Sequence, residues 1–177
     1  MKIALFGGSF DPPHQGHESV IKEALNTLEI DRLIIMPAFI SPFKESFSAP
    51  AQKRLEWVVK LWGKLKGVEI CDFEIKQNRP VPSIESVNFL YKLYQPSKFY
   101  LLVGADHLAT LASWHCFEEL KQKVEFVIAK RDEIFIPKDF KELDTHIKIS
   151  SSFIREYLNL DKVSDEIQEE VKKYYQK

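Results

Sequence analysis

The sequence predicts an α/β fold in which a mostly parallel sheet carries helices on both faces. Apolar runs of strand length alternate with segments whose apolar residues recur at the spacing of an amphipathic helix. Residues 2–6, which are apolar after Lys2, are typical of a strand that is buried on both faces. Strands separated by helices need crossover connections, and such connections place neighbouring strands parallel.

The elements follow one another in a regular order. Strands are predicted at residues 2–6, 32–36, 68–73, 98–103, 124–129 and 146–149. Helices are predicted near residues 15–28, 55–65, 84–93, 107–120, 152–158 and 165–175. The apolar face of the second helix is assigned to Leu55, Val58, Val59, Trp62 and Leu65. This helix is expected to end by Gly67, and Trp57 and Trp62 are expected in the core or at its edge. Ligands of such sheets bind outside the carboxyl ends of the strands, so the loops after the first, second and fourth strands form the candidate site.

Length and composition restrict the class of protein. A chain of 177 residues suits a single domain, 1–177, and a formal net charge of -1 argues against general binding to nucleic acid or to an anionic membrane. No run of 18 apolar residues and no signal peptide is visible, so a cytoplasmic location is expected. Cys71 and Cys116 have no CxxC spacing and are expected to be buried, reduced thiols.

The stretch GGSFDPPHQGH, residues 7–17, combines glycines, a stiff turn and two histidines directly after the first strand. Glycines let the backbone approach a ligand closely, and the helix expected to begin near Gly16 or His17 offers N–H groups to an anion. His14 and His17 stand about one helical turn apart, so both rings can reach one phosphate group. Two alternatives remain: a metal site of His14, His17 and Asp11, and an ordinary helix start.

Two motifs carry a resemblance to a known family. Residues 7–17 resemble the GG-T/S-FDP-x-H-x-GH signature of the nucleotidyltransferase superfamily, and ISSSFIR, residues 149–155, resembles its ISSTxIR motif. Ser151 and Ser152 are expected at the N-cap of a helix, where hydroxyls and N–H groups would bind an anion together with Arg155. The resemblance implies a single Rossmann-like domain.

Within that superfamily, the chain is most similar to the nicotinate-nucleotide adenylyltransferase family. PAFISPFK (37–44), GAD (104–106) with Trp114, and AKR (129–131) resemble segments of that family. Two segments depart from its pattern. VPSIESV (81–87) has Pro82 where the family's SYTxDTL has an aromatic residue, and Arg131 is followed by Asp132 instead of Pro-Gly. These departures affect the loops expected to contact the acceptor substrate.

The resemblance implies transfer of the adenylyl group of ATP to nicotinate mononucleotide, which gives nicotinate adenine dinucleotide and pyrophosphate in NAD biosynthesis. The implied catalytic residues are His14, His17, Lys44 and Arg155. The implied ATP site consists of Gly7, Gly8, Ser9, Phe10, His14, His17, Gly104, Asp106, Ser151, Ser152 and Arg155. The implied nicotinate mononucleotide site consists of Lys44, Ser83, Ile84, Glu85, Trp114 and Arg131. Mg²⁺ is expected to bind mainly through the ATP phosphates, without a protein cage.

Several alternatives stay open at this point. Lys44 could be a surface lysine, Asp106 a helix N-cap, and Trp114 a core tryptophan. The acceptor could be nicotinamide mononucleotide or phosphopantetheine phosphate, or the chain could be a nucleotide sensor that does not turn over. A class I aminoacyl-tRNA synthetase core has a related histidine motif. The chain is short for a tRNA enzyme, however, and its formal net charge of -1 lacks the positive excess that binding tRNA favours. The oligomeric state is not readable from the sequence.

Overall fold

The computed structural model describes residues 1–40, 49–145 and 147–176. Six strands form one sheet in the order β3-β2-β1-β4-β5-β6, and every neighbouring pair is parallel. The strands are β1 Lys2–Gly8, β2 Arg32–Pro37, β3 Val68–Ile70, β4 Lys98–Gly104, β5 Glu125–Ala129 and β6 Lys141–Leu143. The predicted α/β class with a parallel sheet is confirmed.

Among the described residues, five helices and two 3₁₀ turns lie between strands, and two further helices follow β6. The helices are α1 Gln15–Thr27, α2 Ala51–Trp62, α3 Phe73–Gln77, α4 Ser83–Tyr94, α5 Phe117–Lys123, α6 Ser151–Tyr157 and α7 Gln168–Tyr175. The 3₁₀ turns are Ala105–His107 and Leu111–Ser113. In the described part of the chain, no helix has the length and apolar character needed to cross a membrane.

The sheet is buried on both faces, as the first apolar run predicts. Along β1, Ile3 and Leu5 pack on one face with α4 and α5, and Ala4 packs on the other face with α1 and α2. A third apolar cluster joins α2 to α6 and α7 through Trp57, Ile154 and other buried side chains. The C-terminal helices are therefore packed against the helix that follows β2.

The apolar face of α2 differs from the prediction. Val59 and Leu65 are exposed, and the helix ends at Trp62 with Gly63 as its C-cap. Its buried positions are Ala51, Arg54, Trp57, Val58 and Trp62. The two tryptophans are in the core, as expected, and the face is rotated because it packs against both the sheet and the C-terminal helices.

Other elements also differ from prediction. The predicted elements leave residues 74–83 between a strand and a helix, but α3 occupies Phe73–Gln77, and its C-cap Asn78 adopts the left-handed conformation, which asparagine tolerates. The region 107–120 is not one helix: it contains the end of the first 3₁₀ turn, the second 3₁₀ turn and the start of α5. The extended backbone of Trp114 and the positive φ of Cys116 separate the second turn from α5. The last strand, predicted at residues 146–149, instead pairs with β5 through residues 141–143, and His146 lies outside the described residues.

The two cysteines are free thiols, but neither is fully buried. Cys71 is half-buried at the end of β3, and Cys116 is exposed next to α5. The expectation of buried thiols is therefore wrong, because Cys116 occupies the exposed turn between Trp114 and α5 rather than the core-facing side of a continuous helix. Burial raises the pKa of the Cys71 thiol.

Candidate active site

The candidate site lies at the carboxyl ends of β1 and β4, where the strand order reverses. Starting from β1, the chain first adds β2 and β3 on one side and then β4, β5 and β6 on the other. Sheets of this kind form a ligand crevice at such a switch point. Gly7 and Gly8 end β1, opposite Met36 and Pro37, and Gly104 ends β4. The two loops of the implied ATP site therefore start from neighbouring strands.

The two histidines form a stacked pair at the start of α1. Their ring centroids are 3.7 Å apart and their planes differ by 24°. His14 is the N-cap: its Nδ1 accepts a hydrogen bond from the N–H of Gly16, at 3.1 Å. In return, Nδ1 of His17 accepts a hydrogen bond from the N–H of His14, also at 3.1 Å. A neutral imidazole whose Nδ1 accepts carries its proton on Nε2, so both rings hold a donor at Nε2.

His14 is a neutral donor rather than a cation. It is buried, and burial together with the positive charge of Arg131 lowers its pKa to about 4. Gly16 is required beside it, because a Cβ at this position would come within 2.8 Å of the His14 ring and 3.0 Å of Ile149. The glycine of the HxGH pattern therefore makes room for the first histidine ring.

Aromatic packing holds the second histidine. The ring of Phe10 contacts the ring of His17 with centroids 4.8 Å apart, and it also packs edge-on against Phe6 and Trp62. Phe10 is buried and has a φ of 50°, a left-handed conformation that a bulky residue adopts only when its surroundings hold it there. Trp62 therefore links the apolar face of α2 to the loop that carries the histidines.

The ISSSFIR segment meets the same loop from the C-terminal side. The Ser151 hydroxyl donates to the carbonyl of Pro12 at 2.9 Å, and Nη1 of Arg155 donates to the carbonyl of Asp11 at 2.7 Å. The Arg155 guanidinium also lies 3.8 Å from the Asp11 carboxylate. The two predicted motifs, about 140 residues apart in sequence, are thus in direct contact.

The helix cap in this segment is one residue earlier than predicted. Ser150, not Ser151 or Ser152, is the N-cap of α6, and its hydroxyl accepts from the N–H of Phe153. The extended backbone of Ser150 allows this bond, whereas Ser151 and Ser152 are already helical. The Ser152 hydroxyl instead accepts a hydrogen bond from Nη2 of Arg155 at 3.3 Å.

Asp106 and Arg131 form an ion pair across the mouth of the crevice. Their charged atoms are 3.3 Å apart, and both side chains are partly exposed. Asp106 makes no capping hydrogen bond, so the interpretation as a helix N-cap is wrong. Trp114 is half-buried and packs against the core, and its ring meets that of His107 edge-on at 6.0 Å. A carboxylate, a guanidinium and an aromatic ring therefore surround the end of β4.

The segment of the implied nicotinate mononucleotide site that contains Ser83, Ile84 and Glu85 forms the first turn of α4. Ser83 and Ile84 begin this helix. Because the Ile84 side chain is buried in the core, only the backbone of this residue could contact a ligand. Glu85 is ion-paired with Arg79 at 2.6 Å on the surface. Lys44, predicted to bind phosphate, lies outside the described residues.

The structure reveals three residues that the sequence reasoning missed. Arg54 is fully buried and donates hydrogen bonds to four backbone carbonyls around the loops after β1 and β2. Tyr175 donates from α7 to the carboxylate of Asp11. Glu74 is buried beside α4 and accepts from the Ser86 hydroxyl at 2.7 Å. Two of these residues have a signal in the sequence. Arg54 stands at helical spacing from Val58, and Tyr175 stands four residues after the buried Val171.

The chemistry of this arrangement suits an anion. The loop after β1 and the start of α6 supply imidazole N–H groups, hydroxyls and a guanidinium, which are hydrogen-bond donors or cations. Within the described residues, no group of three or more His, Cys, Asp or Glu side chains has an arrangement that could hold a metal ion. The site can therefore bind and stabilise phosphate oxygens at the switch point of the sheet.

Known proteins resemble this chain over its whole length. The cytidylyltransferase-like family matches residues 5–157. A Campylobacter jejuni (strain RM1221) protein named "Probable nicotinate-nucleotide adenylyltransferase" is 68% identical over 177 residues, which cover 100% of this chain and 98% of that protein.

Solved structures share the fold. A Vibrio parahaemolyticus crystal structure has a TM-score of 0.73 at 21% identity and covers 97% of this chain and 99% of its own. Plasmodium falciparum nicotinic acid mononucleotide adenylyltransferase complexed with NaAD has a TM-score of 0.69 at 22% identity and covers 99% of this chain and 90% of its own. Because the family match spans most of the chain and the Campylobacter relative is similar along its entire length, the chain belongs to the cytidylyltransferase-like family and, within it, to the nicotinate-nucleotide adenylyltransferases.

Proposed function

We propose that residues 1–177 form one nucleotidyltransferase domain that transfers the adenylyl group of ATP to nicotinate mononucleotide, releasing pyrophosphate and forming nicotinate adenine dinucleotide. The observation that carries this proposal is the stacked pair of His14 and His17, whose Nδ1 atoms are both occupied by backbone N–H groups. Similarity to the Campylobacter protein along the full chain supports the same activity.

The reaction needs positioning and charge stabilisation more than it needs a base. A phosphate oxygen of nicotinate mononucleotide is already anionic, so it can attack the α-phosphorus of ATP without losing a proton. The new bond joins that oxygen to the α-phosphorus, and the bond from the α-phosphorus to the bridging oxygen breaks. Its electron pair leaves with pyrophosphate. Donors aimed at the phosphates supply the catalysis, because negative charge moves onto the leaving group.

The residues after β1 would bind the phosphates. His14 and His17 would donate from Nε2 to the α-phosphate and the leaving phosphates, and Ser9 and the Phe10 N–H would add further donors. Gly7 and Gly8 would let the backbone approach ATP closely. At the other end of the chain, the β- and γ-phosphates would be bound by Ser151, Ser152 and Arg155.

The loops after β4 and β5 would bind the nucleosides. Gly104 and Asp106 would hold the ATP ribose, because a carboxylate accepts from ribose hydroxyls. Trp114 would stack on the pyridine ring, and Arg131 would add charge to the acceptor site. In the segment Ser83 to Glu85, at the first turn of α4, the N–H groups of Ser83 and Ile84 would bind the nicotinate carboxylate, because the N–H of Glu85 already donates to the carbonyl of Pro82 at 3.0 Å. Lys44 would neutralise phosphate charge.

Mg²⁺ fits this site as part of the nucleotide. The donors around the loop after β1 bind phosphate oxygens and not cations, and the Asp11 carboxylate is engaged by Tyr175, Arg155 and the N–H of Ala49. Mg²⁺ would therefore enter on the ATP phosphates, and it would supply charge neutralisation there. The protein's own contribution is to hold the triphosphate between the histidines and Arg155.

The test is an assay of pyrophosphate release with ATP, Mg²⁺ and one acceptor at a time. Nicotinate mononucleotide should react, and its amide should react at least about tenfold more slowly, because the amide lacks the charge that the α4 N–H groups would bind. His17→Asn should lower kcat about 10²-fold or more, as loss of a transition-state donor does. Equal rates with both acceptors would refute the preference for the acid. Reaction only with phosphopantetheine phosphate would replace the proposed acceptor, and nucleotide binding without any release would favour a sensor.

A further inference from the structure

Arg54 is a buried cation that the proposed reaction does not use. Its side chain is only 1% exposed, and it sits on the apolar face of α2. The guanidinium donates to four backbone carbonyls: Nε to Ala49 at 3.0 Å, Nη1 to Ser9 at 2.6 Å and to Ala38 at 2.7 Å, and Nη2 to Phe39 at 2.7 Å. One residue thus holds the phosphate-binding loop after β1 and both described ends of the loop between β2 and α2.

Packing alone does not explain why a charged residue occupies position 54. An apolar side chain would fill the same space between α2 and the sheet without the cost of burying a guanidinium. Burial lowers the pKa of Arg54, and the Asp11 carboxylate opposes that shift only in part. The planar fork of arginine carries five N–H donors and can hold several carbonyls in one plane, which an ammonium cannot do. The donors, and not the bulk of the side chain, account for arginine here.

The bond to Ser9 fixes the direction of the next N–H group. The only cis peptide bond in the described residues joins Asp11 to Pro12, so the Ser9–Phe10 peptide is trans and planar. In such a peptide the N–H points opposite to the carbonyl. Arg54 draws the Ser9 carbonyl towards α2, on the β2 side of β1. The Phe10 N–H therefore points away from the Arg54 guanidinium and from α2.

Phe10 has the conformation and the unused donor that this arrangement requires. Its positive φ of 50° turns the chain sharply at this residue, although a phenylalanine adopts that conformation only when other contacts hold it. Across residues 1–40, 49–145 and 147–176, no hydrogen bond from the Phe10 N–H to a protein acceptor occurs. A donor held in a strained turn at a switch point is suited to a ligand anion.

We propose that Arg54 is a positioning residue for ATP: by holding the Ser9 carbonyl, it orients the Phe10 N–H to donate to an ATP phosphate. The inference rests on the proposed function only in taking ATP as the nucleotide. It does not depend on which acceptor receives the adenylyl group. We assign Arg54 no direct contact with ATP, because the residue is 1% exposed and its guanidinium donates to four backbone carbonyls.

The first measurement uses the wild-type chain. The backbone amide resonance of Phe10 is followed by NMR while ATP and Mg²⁺ are added without any acceptor, so that no reaction runs. The Phe10 N–H should shift strongly downfield as it gains a phosphate acceptor. Absence of a shift at saturating ATP would overturn the proposal, and this result does not require any variant to fold.

The second measurement separates geometry from charge. Arg54→Lys keeps the positive charge but loses the planar fork, so kcat/KM for ATP should fall about tenfold or more, as expected for a misaligned transition-state donor. The KM for nicotinate mononucleotide should stay within about twofold, and the Phe10 shift should shrink. Wild-type kcat/KM for ATP in Arg54→Lys would overturn the proposal and assign the role to charge alone.

Val58→Ala is the matched control. Val58 is fully buried on the same helix, and its apolar side chain cannot form a hydrogen bond to the loop after β1. This variant should lower the Tm while leaving kcat/KM for ATP within about twofold, so lost stability by itself would not imitate the effect of Arg54. An equal loss of kcat/KM in Val58→Ala would overturn the positioning role. A wild-type chain that shows the Phe10 shift but makes no product with any acceptor would refute the proposed function and leave this inference standing.

Discussion

The hydroxyl of Tyr175 donates a hydrogen bond to Oδ1 of Asp11, across 164 residues of sequence. Asp11 is 2% exposed and also accepts from the N–H of Ala49 at 3.0 Å. Burial and the Asp11 charge raise the pKa of Tyr175, so its hydroxyl stays protonated and remains a donor. The N–H of Gln15 also donates to the carbonyl of Lys162. These two hydrogen bonds hold the C-terminal segment against the loop that carries the histidines.

Tyr175→Phe should therefore affect both stability and activity. Removing the hydroxyl leaves a buried carboxylate with one donor fewer, which costs about 1–3 kcal/mol. Because Asp11 precedes the turn that presents His14, kcat should fall several-fold. Urea unfolding and steady-state kinetics measure the two effects. Tyr174→Phe, at an exposed neighbouring tyrosine, is the control and should change neither quantity appreciably. An unchanged kcat in Tyr175→Phe would show that the hydrogen bond from Tyr175 to Asp11 does not position the histidines.

The cap that His14 forms on α1 should make stability depend on pH. The pKa of His14 is about 4 in the folded chain and 6.5 as the ordinary value, so the unfolded chain binds more protons between these limits. The stabilisation is complete above pH 6.5 and is lost as the pH falls to 4. Its size is about 3 kcal/mol. The physical reason is that burial and the positive charge of Arg131 disfavour the protonated ring, and protonation at Nδ1 would also break the cap to Gly16.

His14→Asn isolates this contribution. Asparagine can cap the helix by accepting the same N–H, but it does not titrate in this range. The free energy of unfolding of wild type minus that of His14→Asn should therefore decrease by about 3 kcal/mol between pH 7 and pH 4. The difference cancels the titration of other groups common to both chains. A difference that stays constant with pH would mean that folding does not shift the pKa of His14.

Elements with a strong local pattern could be predicted, and elements that depend on pairing could not. β1 and α1 have clear periods of apolar residues, and their predicted bounds agree with the structure within two residues. β6 has only three residues and exists because Lys141 and Leu143 pair with β5. α3 has five residues, too few to show a helical period. The rotated face of α2 follows from its second contact, with α6 and α7.

The candidate site also has one part that the sequence predicts and one part that it does not. The histidines, Gly16 and the serines stand in two short motifs, so the phosphate chemistry is visible in the sequence. The partners that hold these motifs are remote: Arg54 is 45 residues from Ser9. No local pattern distinguishes an arginine that binds carbonyls from one on the surface of a helix. Positioning residues of this kind become visible only when the fold gives their neighbours.

Asp106 should contribute to ATP binding and little to stability. Its ion pair with Arg131 is about as exposed as the pair of Lys98 and Glu125, which lies at the other end of the strands. Exposed pairs stabilise a fold weakly, so Asp106→Asn and Glu125→Gln should each shift the Tm by less than about 4 °C. Asp106→Asn alone should raise the KM for ATP, by about tenfold, if the carboxylate binds ribose hydroxyls. Equal ATP KM values in the two variants would remove Asp106 from the nucleotide site.

The buried carboxyl of Glu74 should oppose folding at neutral and alkaline pH. Burial, with a smaller contribution from the charge of Glu85, raises its pKa to about 7, although the Ser86 hydroxyl partly offsets the shift. The folded chain then binds more protons than the unfolded chain between pH 4.5 and 7. Stability from this group is present below pH 4.5 and is lost as the pH rises through 7.

Glu74→Gln should therefore stabilise the chain at pH 8 and not at pH 4.5. Glutamine keeps a carbonyl oxygen for the Ser86 hydroxyl but has no charge to bury, so the gain should approach about 3 kcal/mol above pH 7. Urea unfolding at both pH values measures it, with Glu118→Gln on exposed α5 as a control that should stay within about 0.5 kcal/mol of wild type. A gain of equal size at both pH values would point to packing rather than charge. A gain confined to high pH would show that the Glu74 carboxylate lowers the stability of the fold. This carboxylate accepts from Ser86 on α4, the helix whose first-turn N–H groups are proposed to bind the substrate's own carboxylate.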